Sequence, residues 1–171
     1  MKKAIVIVSL LFVASFTEVK AQDKNVGGIF GFGTEIETPA LGVNGEYFVT
    51  SNIAIAPSFI YYFPNSNNGF LGTEITVTWW ELNANANFYF AEEGIAEFYG
   101  IGGINYTNAR VKIESPSNGE STTSNGEIGL NIGAGANFDI NQNFKLFAEL
   151  KYVIGDADQL GIFVGARFPL N

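Results

Sequence analysis

The sequence predicts an all-β fold: eight antiparallel strands closed into an up-and-down transmembrane barrel, preceded by a cleavable signal peptide. Three observations carry this prediction. From Glu127 to Phe138 the chain alternates, with Ile128, Leu130, Ile132, Ala134, Ala136 and Phe138 on one side and Glu127, Gly129, Asn131, Gly133, Gly135 and Asn137 on the other. That is the period-two spacing of a strand. From Phe144 to Ile154 the pattern returns, with Lys145, Phe147, Glu149, Lys151 and Val153 opposing a mostly apolar row. Thirdly, the polar side is mostly Gly and Asn, too small and too weakly charged for a wetted exterior, so the apolar side faces lipid.

The elements follow in order. Met1-Lys2-Lys3, the 13-residue apolar run Ala4 to Phe16, and Val19-Lys20-Ala21 form a basic region, a hydrophobic region and a small-x-small cleavage site. Residues 1–21 therefore read as a secretory signal cut after Ala21; a membrane-spanning helix would need about 20 apolar residues. Residues 22–171 show no second shift in composition and form one domain. Strands are expected near Val26–Glu35, Leu41–Thr50, Ile53–Phe63, Trp79–Ala91, Ala96–Tyr106, Gly126–Ile140, Phe144–Ile154 and Leu160–Phe168. Between them, Thr50-Ser51-Asn52, Ala91 to Gly94 and Asn141-Gln142-Asn143 are tight turns made of residues that bond their own backbone or tolerate positive φ. Pro64 to Thr78, Thr107 to Asn125 and Gly155 to Gln159 read as the longer or more variable loops. Short turns at one end and longer loops at the other is the layout of an outer-membrane barrel, with the loops outside the cell.

Composition agrees. Charged residues are 15% of the chain, against roughly 25% in ordinary soluble domains. Loss of the signal leaves 6 basic and 16 acidic residues, a net charge of −10, so nucleic acid is not an expected partner. A barrel of eight strands fills its interior with side chains, which accounts for the small inward rows Asn83, Asn85, Asn87 and Ala54, Ala56, Ser58. Tyr61, Phe63, Trp79, Trp80, Phe88, Phe90, Tyr106, Phe138, Phe144 and Tyr152 are expected in aromatic girdles at the two interfaces.

The signal, the strand rhythm, the turn layout and the final strand Leu160 to Phe168 give residues 22–171 a resemblance to the small outer-membrane barrels of Gram-negative bacteria, of the OmpX type or the transmembrane half of OmpA. The resemblance implies an outer-membrane location, lipid and the barrel-assembly machinery as partners, and Phe168 as the terminal aromatic which that machinery reads. The enzymes on similar small barrels depend on His, and this chain has none. A Ser-His or Asp-His site is thereby excluded, as are metal sites of the His or Cys kind. Asp156 to Gly161 imitates half a calcium loop, but Leu160 and Arg167 stand where ligands belong. Gly31-Phe-Gly33 and Gly133-Ala-Gly135 do not complete a phosphate-loop motif.

No catalytic, cofactor or metal residue is therefore assigned. The inward charges Glu46, Glu97, Glu127, Lys145, Glu149, Lys151 and Arg167 are expected to form a structural network that fills the lumen, with Arg167 and Lys145 or Lys151 paired to Glu149 and a neighbouring Glu. A hairpin about Gly155 to Gln159 sets Arg167 near Phe147. The expected function is non-catalytic: a structural role, or contact with extracellular or envelope proteins through the loops Pro64–Thr78 and Thr107–Asn125. A small-solute or ion channel is the first alternative, and an exported, soluble, lipocalin-like binder with its leucines inside is the second.

Overall fold

The protein is described here by a computed structural model that covers residues 24–68, 73–115 and 119–170; the expected signal, residues 1–21, lies outside them. Eight strands run in sequence: β1 (Lys24–Gly33), β2 (Thr38–Phe48), β3 (Ile53–Asn68), β4 (Glu74–Glu93), β5 (Ala96–Ser115), β6 (Gly119–Asn141), β7 (Phe144–Ile154) and β8 (Gln159–Pro169). Each pairs antiparallel with the next, and β8 pairs with β1 to close the ring. Partners followed from Lys24 through Tyr47, Ile55, Ala86, Gly102, Ile132 and Tyr152 lead to Leu160. Leu160 O accepts from Thr34 N at 2.9 Å, so one circuit climbs from residue 24 to residue 34 of β1. A stagger of ten on eight strands corresponds to a tilt of roughly 43°, in the usual range for barrels.

The faces fall as the alternation requires. Leu130 and Ile132 are 58% and 57% exposed, while Asn131 between them is 3% exposed. Leu146 and Leu150 also lie outside, so the lipocalin-like arrangement, which needs these four inside, is not the one adopted. Tyr61, Phe63, Trp80, Tyr106 and Tyr152 end the apolar band at one rim, with Trp80 packed on Tyr106 at 5.6 Å between centroids. Phe88, Phe90, Phe138 and Phe144 lie at the other. Trp79 does not join the girdle. It falls on the same face as Glu81 and Asn83, inside, where it packs with Val77 against the buried cluster of Ile36, Tyr62 and Phe163.

The two ends differ. At one, Thr50 Oγ1 accepts from Ile53 N at 3.0 Å, Asn141 Oδ1 accepts from Asn143 N at 2.8 Å, and Gly94 adopts φ 64°. These are the expected tight turns. At the other end the segments expected to be loops, Pro64–Thr78 and Thr107–Asn125, are mostly strand. β3 pairs with β4 as far as Asn68↔Glu74, and β5 pairs with β6 as far as Ser115↔Gly119. The last β6–β7 pair is Leu130↔Ile154, whereas β5 runs on from Ile104, opposite Leu130, to Ser115. That extension is about 36 Å at ~3.3 Å per residue. β3 to β6 therefore rise past the rim as a four-stranded ribbon sheet. Polar composition suggested loops, but Thr and Ser pair well in strands that are wet on one face.

At the rim the polarity of the two faces inverts. Within the barrel, β4 presents Leu82, Ala84 and Ala86 outward and Glu81, Asn83 and Asn85 inward. Above Trp80 the outward positions are Thr78, Thr76 and Glu74 and the inward ones are Trp79, Val77 and Ile75. β5 switches alongside: Ile104 and Tyr106 give way outward to Arg110, Lys112 and Glu114, and Asn105 and Thr107 give way inward to Ala109, Val111 and Ile113. The outer face passes from apolar to polar side chains at this level.

Candidate functional site

The barrel interior is the most strongly built polar region of the chain, and it forms three levels. Nearest the tight turns, Lys145 Nζ lies 2.8 Å from Glu97 Oε2 and 3.1 Å from Asp139 Oδ1. This level is half-open to solvent.

The middle level centres on Arg167, 1% exposed. Its Nη2 donates to Glu149 Oε1 at 2.6 Å, and its Nη1 donates to Asn137 Oδ1 at 2.6 Å and to Tyr99 OH at 3.1 Å. Glu46 Oε1 is 3.6 Å from the same Nη1. The guanidinium carbon lies 4.2 Å from the centre of the Phe147 ring, a placement in which a planar cation can meet the ring face while its fork of donors reaches several acceptors. Glu46 also accepts from Asn25 at 3.2 Å, from Asn87 at 3.1 Å and from the Tyr89 hydroxyl.

The third level is held by Lys151, whose Nζ donates to Glu81 Oε2 at 2.8 Å and to Asn83 Oδ1 at 3.0 Å. The other oxygen of Glu81 accepts from Tyr62 OH at 3.0 Å and Gln159 Nε2 at 3.2 Å. Asn83 Oδ1 also accepts from Asn105 and Asn131, each at 2.8 Å. Above this, Ile36 closes the mouth. Its turn, residues 34–37, carries Glu37 at φ 54°, a conformation uncommon outside Gly and Asn. The Ile36 carbonyl accepts from Asn65 Nδ2 at 3.2 Å.

Between the middle and upper levels lies a cavity of about 10 Å³ among Asn44, Asn85, Glu149, Lys151 and Arg167, room for about one water. Glycine makes space for the large groups: a Cβ on Gly103 would come within 2.4 Å of Asn85 Oδ1, and one on Gly135 within 2.5 Å of the Tyr99 ring. Gly135→Val is accordingly expected to push Tyr99 off Glu149 and Arg167 and to cost ~1–3 kcal/mol, the usual range for overpacking. The urea midpoint of the folded band on unheated gels measures it.

The structure places the sequence-derived residues unevenly. Glu46, Lys151 and Arg167 are deeply buried inside; Glu97, Lys145 and Glu149 are partly buried and joined to partners there. Glu127 sits near the mouth, accepting from Asn125 Nδ2 at 2.6 Å, outside the three levels. Arg167 does pair with Glu149, and each lysine takes another glutamate: Lys145 pairs with Glu97 and Lys151 with Glu81. Arg167 does lie against Phe147, as expected, although the residue directly opposite it in register is Lys145. The β7–β8 turn is centred on Asp156, one residue earlier than the hairpin read from sequence, and every pair shifts by two. Glu81, Tyr62, Tyr89 and Tyr99 were missed. Glu81 was legible, two residues before Asn83 on the inward row. Phe168 faces outward, 50% exposed, with its ring 6.0 Å from that of Phe144. Among the described residues no cluster of three or more acidic side chains is arranged to hold a metal.

No protein-family model and no curated protein sequence matches this chain. Solved structures do match in shape. A major outer membrane protein of Thermus thermophilus aligns with a TM-score of 0.71 at 11% identity, over 88% of this chain and 100% of that one. The N-terminal β-barrel domain of Pseudomonas aeruginosa OprF gives 0.64 at 19% identity, over 86% and 97%. Ail, the attachment invasion locus protein of Yersinia pestis, gives 0.59 at 17%, over 87% and 97%. The fold is that of the small eight-stranded outer-membrane β-barrels.

Proposed function

We propose that this chain, folded as bacterial outer-membrane barrels are, spans that membrane in a Gram-negative cell as a sealed, non-catalytic post and acts through the ribbon sheet it holds outside. On this reading residues 1–21 direct export, residues 22–171 form the barrel, and Phe168 serves as the aromatic read by the assembly machinery. The partners are membrane lipid around the band and an extracellular or envelope protein at the sheet. The lumen groups Glu46, Glu97, Lys145, Glu149, Lys151 and Arg167 have a structural task, since an unpaired charge in so narrow a space is costly. Glu127, at the mouth, belongs to the rim rather than to that fill.

One observation carries the reading: the inversion of polarity at the rim. A connecting loop needs no ordered apolar face, yet Ile75, Val77, Val111 and Ile113 are held on the inner side of a paired sheet. Apolar surface kept in water on a rigid support is what an interaction site requires. The similar structure named for attachment and invasion adds a precedent for surface roles on this fold. The test is to display the protein on a non-adherent Gram-negative host and shorten both hairpins to the rim. The intact protein is expected to make cells adhere to one another or to a coated surface, and the shortened one to insert normally and lose adhesion. Adhesion that survives the trimming would refute the reading. Open steps of nanosiemens size in planar bilayers would favour the channel alternative; with the lumen filled by paired side chains at three levels, silence is expected.

A further inference from the structure

We infer that the inner face of the ribbon sheet and the acidic turns across the mouth from it form a single seat for a cationic amphipathic helix of a protein partner. This rests on the reading just proposed and names the partner's chemistry.

The eight strands divide the rim into two halves. β3 to β6 rise as the sheet, and the opposite half ends low in two adjacent turns, residues 34–37 and 155–158, joined by the Thr34 N to Leu160 O hydrogen bond. The wall so formed is uncharged and apolar at its centre: Ile75, Val77 and Trp79 on β4 lie beside Ala109, Val111 and Ile113 on β5. All are partly exposed, Ile113 at 40%. Ser121 and Thr123 of β6 border it. Its base is covered, where Val77 and Trp79 pack against the buried cluster that includes Ile36 and Tyr62.

The low half carries Glu35, Glu37 and Asp156, all exposed, and Asp158, whose carboxylate accepts from Tyr152 OH at 2.6 Å. No base of the chain after the signal answers them. Lys145, Lys151 and Arg167 are engaged inside the barrel. Lys24 lies at the other end, over the Tyr47 ring. Arg110 and Lys112 are on the outer face of the sheet, where Lys112 is held by Glu114 at 2.7 Å and Glu120 at 3.5 Å. An apolar wall beside an unneutralised acidic ledge is complementary to one kind of object: a body apolar on one side and basic on the other.

Size selects a helix. Trp79 to Ile75 spans four residue steps, about 13 Å at ~3.3 Å per step, against a helix diameter of about 10–12 Å. A second copy of the chain does not fit the charge, since it would bring acidic turns against acidic turns in a protein of net charge −10 after loss of the signal.

The experiment uses the full barrel in phosphatidylcholine nanodiscs, with empty discs subtracted. The probes are a synthetic lysine–leucine amphipathic peptide and its glutamate–leucine counterpart. The lysine peptide is expected to bind about tenfold or more tightly than the glutamate one, and to weaken with salt as screened charges do. Val111→Asp in the wall and the combined change E35Q, E37Q and D156N on the ledge are each expected to lower that affinity about fivefold or more. Only the ledge variant is expected to lose the salt dependence. Both are compared after showing the folded, fast-migrating band on unheated gels. Equal binding of the two peptides would overturn the seat while leaving adhesion through the sheet intact. Binding that ignores both variants, or no binding of either peptide, would also overturn it; adhesion lost on trimming the hairpins tests the broader reading separately.

Discussion

Arg167→Met is expected to lower the unfolding free energy by ~3–5 kcal/mol, the range found when one partner of a buried ion pair is removed. The loss comes less from the missing attraction than from what stays behind. Glu149 would lose its 2.6 Å donor, Glu46 its nearest cation, and Asn137 the donor to its carbonyl, in a space with room for about one water. Arg167→Lys is expected to recover only part, because an ammonium cannot reach Glu149, Asn137 and Tyr99 together while stacking on Phe147. Adding Glu46→Gln and Glu149→Gln to Arg167→Met is expected to return most of the stability, since no charge is then left unpaired. Urea titration of the folded band in lipid vesicles reads all of these. A stability for Arg167→Met within experimental error of wild type would mean that the interior is wet and the seal imaginary.

The second large effect lies on the opposite face. Leu150→Arg, near the middle of the apolar band and 51% exposed, is expected to cost ~2–4 kcal/mol in a bilayer, the cost of a lipid-facing arginine at mid-depth. Thr122→Arg, which also points outward but from the ribbon sheet beside Lys112, is expected to change stability by less than about 0.5 kcal/mol. The contrast locates the lipid boundary between these levels. A soluble barrel would tolerate both substitutions alike.

Much of this architecture was legible in the residues. β6 and β7 announce themselves by alternation, and the Gly and Asn rows reveal which face is inside because no wetted surface is built from them. The tight turns were legible because Thr50, Gly94 and Asn141 each use a known backbone device. What escaped was whatever depended on a change of solvent along one strand. Pro64 to Thr78 and Thr107 to Asn125 were read as loops, yet within them Ile75 to Trp79 and Ala109 to Ile113 keep the two-residue alternation with its phase reversed. Ile75, Val77 and Trp79 continue the row of Glu81 and Asn83, and a reader tracking only greasy-out, polar-in loses the strand at that crossing. Trp79 was misassigned to the girdle for the same reason. The Arg167–Glu149 pair was legible, but which glutamate each lysine takes escaped because it depends on register. A turn centred one residue away moves every opposite pair by two, which is enough to set Lys145 rather than Phe147 directly opposite Arg167, although the guanidinium still reaches the Phe147 ring.

Closure of the ring by β1 and β8 governs how the molecule can be taken apart. Within the cylinder no strand offers a bare flank, so a protease finds no loose end to peel there. Above the rim β3 and β6 each have one flank without a neighbour. Digestion of intact cells would therefore shave the projection down to the waterline and halt, leaving a stump that still withstands detergent until it is boiled. On the proposed orientation, the part that meets the outside world is the part that can be lost without sinking the rest.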